Sequence, residues 1–295
     1  MSRSWPAVVA LLLNAFIFGL AWWPFRELDS RGLHSLWATA FSYALIVLAL
    51  LAFKPQSIRD VLTNPRLLLL FVASGLTNSA FNWGVLVGDV IRVVLLFYLM
   101  PVWAILLGRW ILGEAITTGA VARIFLAIAG ACLVLWEPGM GAPVPQSLGD
   151  WLGLVGGFWF AVTNVTLKHQ AGTRTESRML AMFAGGTFIP ASLAFGLMSM
   201  GLISAPGEVS NWLPGLLGFA VVMIVANLCL QYGTGRLPAN VTAVIMLSEV
   251  VFAAVSAALL GSGIVTTQTA LGGMLIVLAA LAATFSTRRP SVQAG

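Results

Sequence analysis

Ten apolar stretches follow one another along this chain, each close to the length at which an α-helix crosses a bilayer. A hydrocarbon core about 30 Å thick takes about 20 helical residues, and inside it every backbone amide must be paired within the segment. By that ruler the first five spans are approximately 5–25, 34–53, 67–87, 90–108 and Thr117–Trp136. A Gly- and Pro-rich loop from Glu137 to Asp150 follows, and then spans at approximately 151–168, 179–200, 212–233, 239–259 and 267–286. The predicted fold class is therefore all-α integral membrane. Residues 1–25 resemble a secretory signal in having Arg3 before an apolar stretch. Their length, the lack of an A-x-A site and the similar runs that follow make them the first span instead.

Composition removes most other classes of function. Only 8% of the residues are charged and 59% are hydrophobic, with a mean hydropathy of +0.97, whereas soluble domains carry about one quarter charged residues. No stretch remains for a soluble catalytic domain. No G-x-x-x-x-G-K-[ST] phosphate loop occurs, so transport driven by ATP within this chain is excluded. The net charge of +5 is spread as single Lys and Arg between apolar runs, which argues against a nucleic-acid partner. Cys132 and Cys229 fall inside apolar runs, and His34 and His169 lie near loops. The expectation is no metal, no cofactor, no disulfide and no enzymatic centre.

With the loops numbered alternately, one side holds Arg3, Lys54, Arg59, Arg66, Arg109, Lys168, Arg174, Arg178, Arg236, Arg288 and Arg289. The other holds Arg26, Arg31 and Arg92, while Arg123 lies within the fifth span. The positive-inside rule then places both termini in the cytoplasm of a bacterial inner (plasma) membrane protein. Leu112-Gly113 followed by Ile116 matches Leu260-Gly261 followed by Ile264 at a shift of 148 residues. Two five-span repeats, 1–140 and 141–295, are expected. Because each has an odd number of spans, the second enters the membrane inverted, an arrangement suited to rocking about a midplane site.

The run Leu99-Met100-Pro101-Val102-Trp103-Ala104-Ile105-Leu106-Leu107-Gly108, closing on Leu112-Gly113-Glu114, resembles the fourth-span signature of the EamA type of the drug/metabolite transporter superfamily. Ser248-Glu249-Val250-Val251-Phe252-Ala253, closing on Leu260-Gly261, is similar to the family's Leu-Glu-Pro-Val-Phe-Ala pattern. It departs from that pattern in having Val250 for Pro, a stretch one residue shorter, and Ser262 for the second Glu. Within the family the chain looks most like the YddG-type exporters of aromatic and neutral amino acids. The resemblance implies a secondary exporter working by alternating access.

Intramembrane polar groups are the first candidates for the site, because hydrocarbon penalises them unless they face a partner or a wet cavity. Glu249 leads, either as a carboxylate meeting a substrate ammonium or a proton, or as a hydrogen-bonding tie between helices. Asn78 and Asn82 are four residues apart with Trp83 adjoining, and Asn227 and Gln231 repeat the spacing beside Tyr232. Each pair is either a gate or a structural amide tie. Trp5, Trp110, Trp136, Trp151 and Trp212 sit at span ends and read as interfacial belt residues. Trp22, Trp83, Trp103, Trp159 and Tyr98 lie deeper and are candidates for an aromatic lining, with lipid contact or packing as the alternative. Trp159 pairs with Asn164 on the sixth span, in a region aligning with Trp22-Trp23-Pro24. Pro101 is a hinge or a fixed kink of the fourth span. Ala127/Ala131 and Ala279/Ala283 are small-xxx-small pairs, suited to helix packing and to a possible homodimer.

Phosphorylated substrates need cationic groups in the cavity, and only Arg92 and Arg123 lie deep enough. Amides, aromatics and one carboxylate fit a small zwitterion with an apolar side chain better. A lipophilic or cationic drug is the alternative. The expected partners are thus a small-molecule amino acid and the bilayer.

Overall fold

The computed structural model describes residues 5–113, 115–136, 143–170, 172–237 and 239–286, and among these residues every regular element is an α-helix. In chain order the elements are α1 (Trp5–Gly19), α2 (Trp22–Ser30), α3 (Ser35–Phe53), α4 (Ser57–Thr63), α5 (Pro65–Val87), α6 (Val90–Phe97) and α7 (Met100–Leu112). Then come α8 (Thr118–Leu135), α9 (Leu148–His169), α10 (Thr175–Ser199), α11 (Val209–Thr234), α12 (Ala239–Met246), α13 (Ser248–Leu259) and α14 (Thr267–Ser286). Arg3, Glu114, Arg288, Arg289 and the 140/141 boundary between the expected repeats lie outside the described residues, as do the side chains of Asn227, Gln231 and Ala283.

Among the described residues seven helical segments are long and apolar enough to cross a membrane, and the chain is a multi-pass membrane protein. They are Trp5–Ser30, Ser35–Phe53, Pro65–Val87, Val90–Ile111, Thr118–Leu135, Thr175–Ser199 and Val209–Thr234. The other three expected spans fall on α9, on α12 with α13, and on α14. Helix α9 has 22 residues, but its glycines, threonines and Asn164 dilute its apolarity, and the ninth stretch is broken in two.

Local sequence fixes the helix ends. Asn64 caps α5 through a 3.0 Å bond from the Arg66 amide, with Pro65 in the first turn. Ser147 and Asp150 form a reciprocal capping box at α9. Helix α7 ends on Gly113 at φ +69°, and the loop after α13 turns at Gly261 with φ +68°. Both need the left-handed conformation that glycine supplies without strain. The two glycines stand 148 residues apart, and so do the first residues of α7 and α13, Met100 and Ser248.

Helix α5 packs on α9 and α10, α10 also on α3, α1 on α11, and α8 on α14. Close approach depends on glycine. A Cβ on Gly185 would run into the Phe71 carbonyl of α5, and one on Gly186 into the Tyr43 ring of α3. Gly130 of α8 and Gly272 of α14 face each other so closely that a Cβ on either would sit 2.6 Å from the other's carbonyl oxygen. Ala127, Ala131 and Ala279 are buried in this same region. Ala127, Ala131 and Ala279 thus pack within the chain at the seam between α8 and α14. Trp5, Trp110, Trp136 and Trp151 are exposed as belt residues should be. Trp212 is not. It is buried, stacks on Phe41 with ring centroids 5.7 Å apart and donates its indole N–H to the Gly207 carbonyl at 3.0 Å.

Candidate functional site

The fourth and ninth stretches both break in mid-course, and the breaks face the candidate residues. Helix α6 closes at Tyr98, whose amide bonds back to Val94, and α7 restarts two residues later with Pro101 in its first turn. A first-turn proline gives up no helical hydrogen bond, so Pro101 starts a helix after a break instead of interrupting one. Leu247 separates α12 from α13, and Glu249 lies in the first turn of α13. The positive end of the helix dipole favours an anionic side chain at that position. Helix α13 packs on α6, and the buried Tyr98 shares a core cluster with Leu247 and Val250 on either side of Glu249, which brings the two breaks together. Gly19, at the end of α1, lies against the Glu249 carbonyl, and a Cβ there would be 2.8 Å from that oxygen. Gly157 of α9 packs in the same way on the Phe97 carbonyl, where a Cβ would be 2.5 Å from the oxygen.

Trp22 lies against α13 at Ser256, two turns beyond Glu249 and on the same helix face. It is buried and donates its indole N–H to Ser256 Oγ at 3.0 Å, while the Arg26 guanidinium lies over its ring 5.5 Å from the centroid. Arg26 itself bonds the last carbonyls of α5, Val85 at 3.0 Å and Gly88 at 2.7 Å. Trp103 and Trp159 are joined through Phe158, with edge-to-face contacts of 5.5 and 5.3 Å, across α7 and α9. The Trp103 indole N–H is buried without a hydrogen-bond partner. Inside a helical bundle such a donor costs roughly 1–3 kcal/mol unless something supplies an acceptor.

The amides of α5 are engaged by α3. Tyr43 donates to Asn78 Oδ1 at 2.8 Å, and Asn78 donates to the Ser74 carbonyl at 2.7 Å. Asn82, buried, donates to Thr39 Oγ1 at 2.9 Å. Their geometry is that of a helix–helix tie. Trp83 is half-buried beside His34, ring centroids 6.2 Å apart. Burial pushes the His34 imidazole below its ordinary pKa, against the opposing charge of Asp29. Asn164 is exposed and bonds only its own helix at the Phe160 carbonyl, 2.9 Å away. Lys168 and His169 are exposed at the end of α9.

Sequence reasoning missed four participants: Thr39, Tyr43, Ser256 and Asn14. Thr39 and Tyr43 carry the same spacing of four as Asn78 and Asn82, which was a usable signal. Asn14 is fully buried and donates to the Ala226 carbonyl of α11 at 2.8 Å, with its own Oδ1 unpaired.

The fourth-stretch signature, the break at Tyr98 and the glycine turn at Gly113 all lie within the first half of the chain. Residues 5–136 match the EamA-like transporter family. That match spans α1 to α8, including Trp22, Asn78, Asn82, Trp83, Tyr98, Pro101 and Trp103. The family so matched is one of transporters. No curated protein matches the sequence. A solved structure described as "Crystal structure of protein" is similar in fold, with a TM-score of 0.57 at 18% identity over 96% of this chain and 98% of the other.

Proposed function

We propose that the chain is a secondary transporter of the drug/metabolite superfamily that exports small amino acids, aromatic and neutral ones, across the inner membrane by alternating access. The observation that carries this reading is the meeting of Glu249 and Tyr98 at two helix breaks, where a carboxylate and a phenol are held between discontinuous helices. Broken helices expose main-chain groups and dipole ends at mid-membrane, the usual setting of a carrier's binding site. Glu249 would take the ammonium group, and Trp22, Trp103 and Trp159 would flank the side chain. The unpaired Trp103 N–H offers a donor to the substrate carboxylate.

In this reading ten spans form two inverted repeats, 1–140 and 141–295, with both termini cytoplasmic. Support comes from the equal shift of 148 residues between Gly113 and Gly261 and between Met100 and Ser248. The packing of α1 on α11, mirrored by α5 on α9, agrees with it. The second reading is export of a lipophilic cation, for which the Glu249 carboxylate at the start of α13 would be the counter-charge.

Proteoliposomes loaded with L-phenylalanine, L-leucine or ethidium, assayed for efflux with and without a pH gradient, test both. Efflux of the amino acids and retention of ethidium is the expected result. Ethidium efflux alone supports the second reading, and retention of all three refutes both.

A further inference from the structure

Helix α4 is too short to cross a bilayer and joins two segments that are long enough, Ser35–Phe53 and Pro65–Val87, so it lies where the chain leaves the membrane and enters it again. Two contacts pin it to α10. Val61 is buried in one cluster with Leu180, Ala181 and Ala184, and Asp60 Oδ2 accepts the hydroxyl of the fully buried Ser177 at 2.6 Å. Ser57 and Val61, four residues apart, are thus the inward face of α4. Ile58 and Leu62 repeat that spacing one position on, and both are left exposed, Leu62 at 69%. Phe53, the last residue of α3, is 82% exposed at the same end of the bundle. A short helix held by one face and apolar on another suits the plane of a membrane interface, with its uncovered apolar side chains among the upper acyl chains.

Charge narrows the class of lipid. The acids of α4 and α10 are already matched, Asp60 by Arg174 at 3.9 Å as well as by Ser177, and Glu176 by Lys54 at 3.8 Å. Arg59 and Arg66 are not. Both are exposed, and neither guanidinium has a hydrogen bond or ion pair among the described residues. Arg59 stands three residues before Leu62 and so next to it on the helix surface. Arg66 occupies the first turn of α5, where the positive end of the helix dipole disfavours a cation and no acidic residue compensates it. Guanidiniums without counter-charge beside uncovered apolar side chains call for a ligand that joins an anion to hydrocarbon, and a headgroup of net negative charge satisfies them better than a zwitterionic one. We infer that α4 and the start of α5 form a site for an anionic phospholipid of the phosphatidylglycerol class. Its phosphate is held by Arg59 and Arg66, and its acyl chains run over Leu62 and Phe53. The site goes beyond the transport reading and does not depend on which solute is carried.

The test uses the full chain in phosphatidylcholine nanodiscs. Cys132 and Cys229 are replaced by Ala, and Leu62→Cys carries a bimane fluorophore at an exposed position. Phosphatidylglycerol and phosphatidylcholine bearing a nitroxide near the top of the acyl chain are added in turn at equal mole fraction, and the ratio of their quenching is read. Phosphatidylglycerol should quench at least threefold more strongly. Arg59→Gln with Arg66→Gln should bring the two lipids to parity, whereas Arg109→Gln, which removes an exposed cation at the end of α7, should leave the preference unchanged. Inorganic phosphate added at constant ionic strength should not lower the ratio. Weak quenching by both lipids would put Leu62 outside the bilayer and overturn the proposal, and equal quenching by both would overturn the selectivity. A preference that survives the double substitution, or that Arg109→Gln lowers as far, would overturn it as general attraction by a basic surface. A ratio lowered by inorganic phosphate would overturn it in favour of a soluble anion.

Discussion

Glu249 stands in the first turn of α13 and Tyr98 at the end of α6, two helices packed on each other, so the only acid on the ninth stretch lies at the junction of two broken helices. If this junction handles the substrate, Glu249→Gln should lower amino acid efflux at least tenfold with normal membrane insertion. Tyr98→Phe should lower it by a smaller factor. Unchanged efflux in Glu249→Gln would leave the carboxylate as a structural tie alone.

The Asn82–Thr39 bond joins α5 to α3. Interhelical hydrogen bonds in membranes average about 0.6 kcal/mol. A double-mutant cycle with Asn82→Ala and Thr39→Ala, read by denaturant unfolding in detergent, should return a coupling of that size and leave substrate affinity unchanged. A large change in affinity with little coupling would assign Asn82 to the substrate path.

The Asp150 carboxyl sits below its ordinary value of 3.8 although burial pushes it up, because the Arg92 pair and the Gln146 and Ser147 amides favour the anion more strongly. A folded-state pKa below the unfolded one stabilises the protein above the unfolded value. That stabilisation is lost as pH falls from the unfolded value through the folded one. Asp150→Asn should therefore lower the unfolding temperature at pH 7, and the difference from wild type should shrink as the pH falls below about 4. A difference that grew on acidification would contradict the assignment.

Gly185 has no room for a side chain against Phe71. Gly185→Ala should destabilise by about 1–3 kcal/mol, the range for overpacking a close-packed contact. Gly196, with nothing within 4 Å of a notional Cβ, is the control, and Gly196→Ala should stay within about 0.5 kcal/mol of wild type. Thermal unfolding of both variants in one detergent checks the pair.

The membrane fold was legible because apolar length is a direct demand of the bilayer. The 148-residue shift read from Leu112-Gly113 and Leu260-Gly261 reappears in the backbone at Gly113 and Gly261. The breaks were not legible. Leu247 carries no breaker residue, and Pro101, which drew attention to the fourth stretch, lies after its break. Nor did sequence disclose that Asn78 and Asn82 face Tyr43 and Thr39, since an amide's partner is supplied by another helix. Trp212 was read as a belt residue from its position near a span end, and what buries it is the stack on Phe41.

Gly130 and Gly272 bring the backbones of α8 and α14 into mutual contact. At that crossing the backbones are too close for an acyl chain to pass between them. Drawing α8 and α14 apart at this crossing would forfeit the backbone contact that the two glycines permit.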